Sequence, residues 1–212
     1  EKDDFIKLCH EGENDSAICK IIRNDSINDF IVYLDKENLS NSSEIKNSIF
    51  ETNSFLLTNS KITLIDYAAF FGSFKIFKYL YENNAIISPS IWLYAIHGQN
   101  TEIKNILEEN SILYDWNKCF NESIKCHCND LAKYILEKYI ENEDKQILYP
   151  LSYILESYNL KFIDCNFKEN TFIDFFKYDY IFIVKLLMKS KYFDINNSRK
   201  DRATFLGRIN EI

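Results

Sequence analysis

Residues 63–85 read TLIDYAAFFGSFKIFKYLYENNA, and the meaning of this stretch decides the fold. Thr63 precedes Asp66 by three positions, the spacing at which a threonine hydroxyl caps a helix and an acidic side chain reaches back to the cap. Ala68 and Ala69 follow, then Gly72, then Ile76, Phe77 and Leu80 on one helical face. The stretch therefore predicts a short capped helix, a turn at Gly72 and a second amphipathic helix ending near Tyr81 to Asn84. Paired alanines let a neighbouring backbone approach the first helix, while the larger aliphatics of the second fill the layer behind it.

The same plan recurs downstream. In SPSIWLYAIHGQNTEIKNILEEN, Ser88 stands as the expected cap with Pro89 at the first helical position. Ala95 falls under Ala68, and Ile103 and Leu107 under Ile76 and Leu80, a shift of 95 − 68 = 27. In CFNESIKCHCNDLAKYILEKY, Ser123 falls under Ala95, and Leu131 and Ile135 under Ile103 and Leu107, a shift of 123 − 95 = 28. A unit of this size buries no core alone, so tandem helix pairs have to stack on one another.

Weaker copies flank these three. Residues 18–37 form a degenerate first unit, with Phe30 and Leu34 as second-helix positions and Ser26 to Asp29 as a cap. Polar residues between 38 and 62 mark a loop or insertion, and 63–139 hold the three clear helix pairs. Residues 140–170 read as a divergent pair, and 171–203 as a unit with full-length spacing opened by Thr171 and Asp174. The segment 204–212 starts a truncated unit. The whole, 1–212, is expected to be one all-α repeat domain.

Across these units the chain resembles the ankyrin repeat family. Thr63, Ala68, Ala69, Gly72, Ile76, Leu80 and Ala85 occupy the places of that family's consensus. The runs IIRNDS, ETNSFL, YAAFFGS, WLYAIHGQN and ESIKCHCNDLAKYI look, more narrowly, like an ankyrin-containing domain of unknown function expanded in protist parasites. The resemblance covers residues 18–190. It implies a helical solenoid that binds other proteins, and it supplies no catalytic residues. Asp66 and Asp174 stand where the family usually has His, and the shifts of 27 and 28 fall short of the family's roughly 33. The connections between units are therefore expected to lack full β-hairpins.

In stacks of this kind the end of the first helix tends to face a concave groove. Those positions make Phe70, Phe71, His97, Lys125 and Tyr178 the candidate partner-binding residues, with Cys126 and Lys177 beside them. Adjacent Phe70 and Phe71 cannot both enter one layer of a helix, so one ring is exposed or covered by a neighbour.

Composition narrows the function. Lys plus Arg total 25 against 32 Asp plus Glu, a net charge of −7, and the two signs are mixed along the chain. Nucleic acid recruits clustered cations, and only SRKDR at 198–202 is locally basic. No apolar run approaches the roughly 20 residues that span a bilayer. The reading is an intracellular, cytoplasmic chain with an unidentified protein partner and neither nucleic acid nor membrane insertion.

Six cysteines in a chain this apolar read as buried free thiols. Cys119, Cys126, His127 and Cys128 are the best zinc set by spacing, but Cys119 and Cys126 on one helix stand roughly 10 Å apart along its axis. No metal, cofactor or catalytic residue is therefore assigned. The expected function is a non-enzymatic protein-interaction scaffold. The alternatives are the repeat portion of a larger protein with its activity elsewhere, and a Cys/His- or zinc-dependent enzyme, which convergence of Cys126 and Cys128 with a histidine would favour.

Overall fold

Thr63 opens α5 (Leu64–Phe70) with the capping box its spacing predicts. Its Oγ1 accepts from the Asp66 N–H at 3.3 Å, and Asp66 Oδ2 accepts from the Thr63 N–H at 3.2 Å and its hydroxyl at 2.7 Å. Every residue of α5 is buried, so two orphan donors of a core helix are satisfied reciprocally. Gly72 takes φ +66° at the turn that follows, and α6 (Phe74–Glu82) buries Ile76, Phe77 and Leu80.

The computed structural model describes residues 2–59, 61–110, 112, 115–140, 151–162, 175, 177–183 and 185, in two compact units divided after Asp144. Among the described residues of the first unit, a helix α1 (Lys2–Glu11) precedes the hairpins α2 (Ala17–Arg23) with α3 (Ile27–Glu37), α5 with α6, α7 (Ile91–Gly98) with α8 (Thr101–Glu109), and α9 (Trp116–Lys125) with α10 (Asn129–Ile135). A single helix, α4 (Ser54–Thr58), lies between the first two hairpins, and α10 runs on into a π-helical turn, Leu136–Ile140. First helices pack in the order α2, α5, α7, α9, and second helices in the order α3, α6, α8. The described residues are mostly helical and form no strand. The one β-type pairing among the described residues is an isolated antiparallel bridge between Glu44 and Thr63.

The turns inside the hairpins share one conformation. Asp25, Gly72, Gln99 and His127 all have positive φ, at intervals of 72 − 25 = 47, 99 − 72 = 27 and 127 − 99 = 28 residues. In three of them the next amide bonds back five residues in Schellman fashion: Ser26 to Ile21, Ser73 to Ala68 and Cys128 to Ser123. The apolar pairs behind the turns are buried at Phe30 and Leu34, Ile76 and Leu80, and Ile103 and Leu107; in the last hairpin Ile135 is buried and Leu131 half-buried.

Side chains tie each turn to the next hairpin. Asp25 accepts from the N–H groups of Lys75 (3.1 Å) and Ile76 (3.0 Å), capping α6 from the preceding turn. Ser73 donates to the Ile22 carbonyl at 2.6 Å, and Asn100 donates to the Gly72 carbonyl at 3.1 Å while capping Ile103. Stacking is tightest at α5 and α7, where a Cβ on Gly98 would stand 2.0 Å from the Ala69 carbonyl oxygen.

Two local expectations need correction. Ser88 does not cap α7: its hydroxyl donates to Asp66 Oδ1 at 2.7 Å, and Ser90 takes the cap position without a side-chain bond. Ser26 precedes α3 without a capping bond from its side chain. The 38–62 segment contains α4, capped by Asn53, whose Oδ1 accepts from Phe55 and Leu56.

In the second unit, α11 (Leu151–Glu156) is followed by Tyr158 with φ +56° and by a 3-10 turn, Leu160–Phe162. Phe175 is fully buried there, and the Tyr180 hydroxyl donates to the Leu155 carbonyl at 2.9 Å. The Thr171–Asp174 cap, the 198–202 cluster and the truncated unit at 204–212 lie outside the described residues. Among the described residues no helix is long and apolar enough to cross a membrane.

Candidate functional site

Because α5, α7 and α9 stand side by side, the last residues of each meet those of the next. Phe70, only 8% exposed, stacks on His97 with ring centroids 4.9 Å apart and planes 27° from parallel. Phe71 turns away from that layer, meeting Phe70 edge-on at 5.0 Å and Tyr67 at 4.7 Å, with the Arg23 guanidinium 5.7 Å from its ring centroid. So Phe70 is the covered ring of the pair and Phe71 the half-buried one.

Helix α4 supplies the cover. Phe55 stacks on Phe70 at 5.9 Å, meets Tyr94 edge-on at 5.0 Å and lies 4.3 Å from the His97 ring. The inserted segment thus lays an aromatic ring across the ends of α5 and α7.

On its other side His97 meets α9. Its Nε2 lies 3.0 Å from Glu122 Oε1, and Cys126 Sγ lies 3.5 Å from Nδ1 and 3.6 Å from Nε2. Glu122 and Cys126 reach the same ring because they are four apart on α9 and its C-cap. Lys125 holds the second Glu122 oxygen at 3.5 Å. The side chains of His97 and Glu122 are 18% and 14% exposed.

Burial pushes the Glu122 carboxyl up, but the His97 hydrogen bond and the Lys125 ammonium outweigh it and leave the group below its ordinary range. The Cys126 thiol is pushed up to about 12 by burial, with the Glu122 charge adding to the effect. Cys128 turns its thiol to the Ile96 carbonyl at 3.7 Å, and Cys119 is fully buried.

Of the residues read from sequence as partner-binding, Phe70, Phe71, His97 and Lys125 therefore come together around one row of helix ends. Tyr178 belongs to the second unit, where its hydroxyl donates to Glu156 at 2.7 Å and the Lys177 ammonium lies 5.0 Å from its ring centroid. Sequence reasoning missed Phe55, which sits in a stretch without helical periodicity, and Glu122, whose i,i+4 relation to Cys126 was the available signal. It also grouped the cysteines with their sequence neighbour His127, whereas the histidine beside Cys126 is His97, one hairpin earlier.

Among the described residues, the first unit is a set of packed helix hairpins with an aromatic and ionisable cluster at their turns. Comparisons with protein-family models, curated proteins and solved structures return no match.

Proposed function

We propose that the chain is a non-enzymatic protein-interaction scaffold, an ankyrin-like helical solenoid with shortened fingers. One observation carries the reading. Contacts run unbroken across four first helices, from Arg23 to Phe71, Phe70, His97, Glu122 and Lys125. The row is aromatic at its middle, with Arg23 paired to Glu13 at one end and Lys125 paired to Glu122 at the other, and aromatic residues with Arg are the groups that protein interfaces favour. The recurring turns at Asp25, Gly72, Gln99 and His127 support the repeat reading, since each joins a first helix to its second through a residue of positive φ.

The test places a photo-crosslinking residue at position 71 and, separately, at exposed Lys78 on α6. A partner of the ridge is captured from position 71 and not from 78, and Phe71→Ser reduces its capture at least tenfold while far-UV circular dichroism stays unchanged. Equal capture from both positions, or capture indifferent to Phe71→Ser, rejects the reading.

A second reading, a cysteine-dependent enzyme, has one observation in its favour. Cys126, His97 and Glu122 follow one another as thiol, imidazole and carboxylate. Against it, the nucleophile of such an enzyme is a thiolate, and burial holds this thiol protonated at neutral pH. The pH dependence of Cys126 alkylation by iodoacetamide decides. An apparent thiol pKa below 7 favours the enzyme, and a value above 9 removes it.

A further inference from the structure

We propose that His97, Glu122 and Cys126 form a binding site for one borderline-soft divalent cation of the zinc type, held between α7 and α9. The inference stands apart from the scaffold reading, because it rests on the side-chain trio alone.

The donor set selects the ion class. One imidazole nitrogen, one carboxylate oxygen and one sulfur suit zinc and its close relatives, while magnesium and calcium take oxygen ligands. Geometry agrees. Tetrahedral zinc with bonds of about 2.0–2.3 Å requires ligand atoms about 3.3–3.6 Å apart. Here His97 Nε2 lies 3.0 Å from Glu122 Oε1 and 3.6 Å from Cys126 Sγ, and the three ligand atoms all fall within 4.8 Å of one another. Replacing the His97–Glu122 hydrogen bond by the ion opens the first edge by a few tenths of an ångström.

The surroundings fit as well. Phe55 and Phe70 clasp the imidazole at 4.3 and 4.9 Å and fix its plane, and Lys125 steadies the second oxygen of Glu122. An apolar shell and a tethered carboxylate are the supports that orient ligands at metal sites. Charge also balances. An M2+ ion bound by imidazole, carboxylate and thiolate makes a neutral site, with the thiol proton released to solvent. Three protein ligands leave a fourth tetrahedral position for water, and the partial exposure of His97 and Glu122 admits one.

The experiment titrates the reduced, full chain with cobalt(II) and then displaces it with zinc(II). Wild type is expected to bind one equivalent with a sulfur-to-cobalt charge-transfer band, and zinc is expected to raise its unfolding midpoint. Cys126→Ser and His97→Gln are expected to abolish the band, remove the zinc-induced shift and weaken binding at least tenfold, while Cys128→Ala and Cys9→Ser retain all three. Absence of the band in wild type overturns the proposal. So does its persistence in Cys126→Ser, because the ion then sits on other thiols. Should His97→Gln fail to fold, Cys126→Ser, a one-atom change, decides alone.

Discussion

The carbonyl oxygen of Ala69 occupies the space that a side chain on Gly98 would need: the missing Cβ would stand 2.0 Å from that oxygen and 2.8 Å from the Gly72 nitrogen. The obstruction is backbone on both counts, so no rotamer change relieves it. Gly98→Ala has to push α7 off α5, and overpacking of this kind costs about 3 kcal/mol. Thermal unfolding followed by circular dichroism should show a midpoint several degrees lower. An unchanged midpoint would mean that the two helices are farther apart than described.

The two turns flanking this contact respond oppositely to substitution. Gly72 has φ +66° and its Cβ would meet the Gly98 oxygen at 2.7 Å, so Gly72→Ala is expected to destabilise by about 2 kcal/mol or more. Gln99 adopts φ 51° with a side chain that disfavours it. Gln99→Gly should therefore stabilise by about 0.5–1 kcal/mol, the relief of left-handed strain exceeding the entropy added to the unfolded chain. Chemical denaturation of both variants checks the pair, and the same sign for both contradicts the shared turn geometry.

Asp66 links stability to pH. Burial pushes its carboxyl above the ordinary range, and the Ser88 and Thr63 bonds pull it back only in part. The folded state therefore binds the proton more tightly than the unfolded state. The stability this contributes is full below the unfolded pKa, near 3.8, and is lost as pH rises through the higher folded value. Asp66→Asn keeps the amide able to accept from Thr63 and donate to Ser88 but carries no charge. Relative to wild type it should gain stability as pH rises from about 4 to 7; parallel pH profiles would count against a buried carboxylate.

Phe55 is the ring whose removal tests the cover over the ridge. Phe55→Ala ends its contacts with Phe70, Tyr94 and His97, and for a half-buried ring the loss should be about 2 kcal/mol. The sharper readout is His97, expected to react faster with diethyl pyrocarbonate than in wild type. Peptide mapping separates it from His10 and His127, and an unaltered rate would place the shielding elsewhere.

Features that rest on neighbours within a turn or two were readable before any coordinates. The Thr63–Asp66 box, the turn at Gly72 and the apolar pairs at 76/80 and 103/107 depend on local spacing alone, and the helices bear them out. Ser88 was misread because its hydroxyl bonds across 22 residues to Asp66, a partner that no local rule names. Phe55 was hidden in a five-residue helix too short to show a period. The cluster around His97 joins residues 25 and 29 positions apart, so it exists only once α7 lies against α9. Its members were each visible as chemistry; their company was not.

Asp25 holds the first free amides of α6 from a turn 50 residues upstream. A helix start that depends on another hairpin gives neighbouring hairpins a common fate: fraying of the Asp25 turn strands donors of α6, and fraying of α6 strands the acceptor of that turn. Amide exchange at Lys75 and Ile76 therefore reports on the integrity of the Asp25 turn, and loss of the α2–α3 hairpin would be felt as melting at the start of α6, transmitted by a single carboxylate.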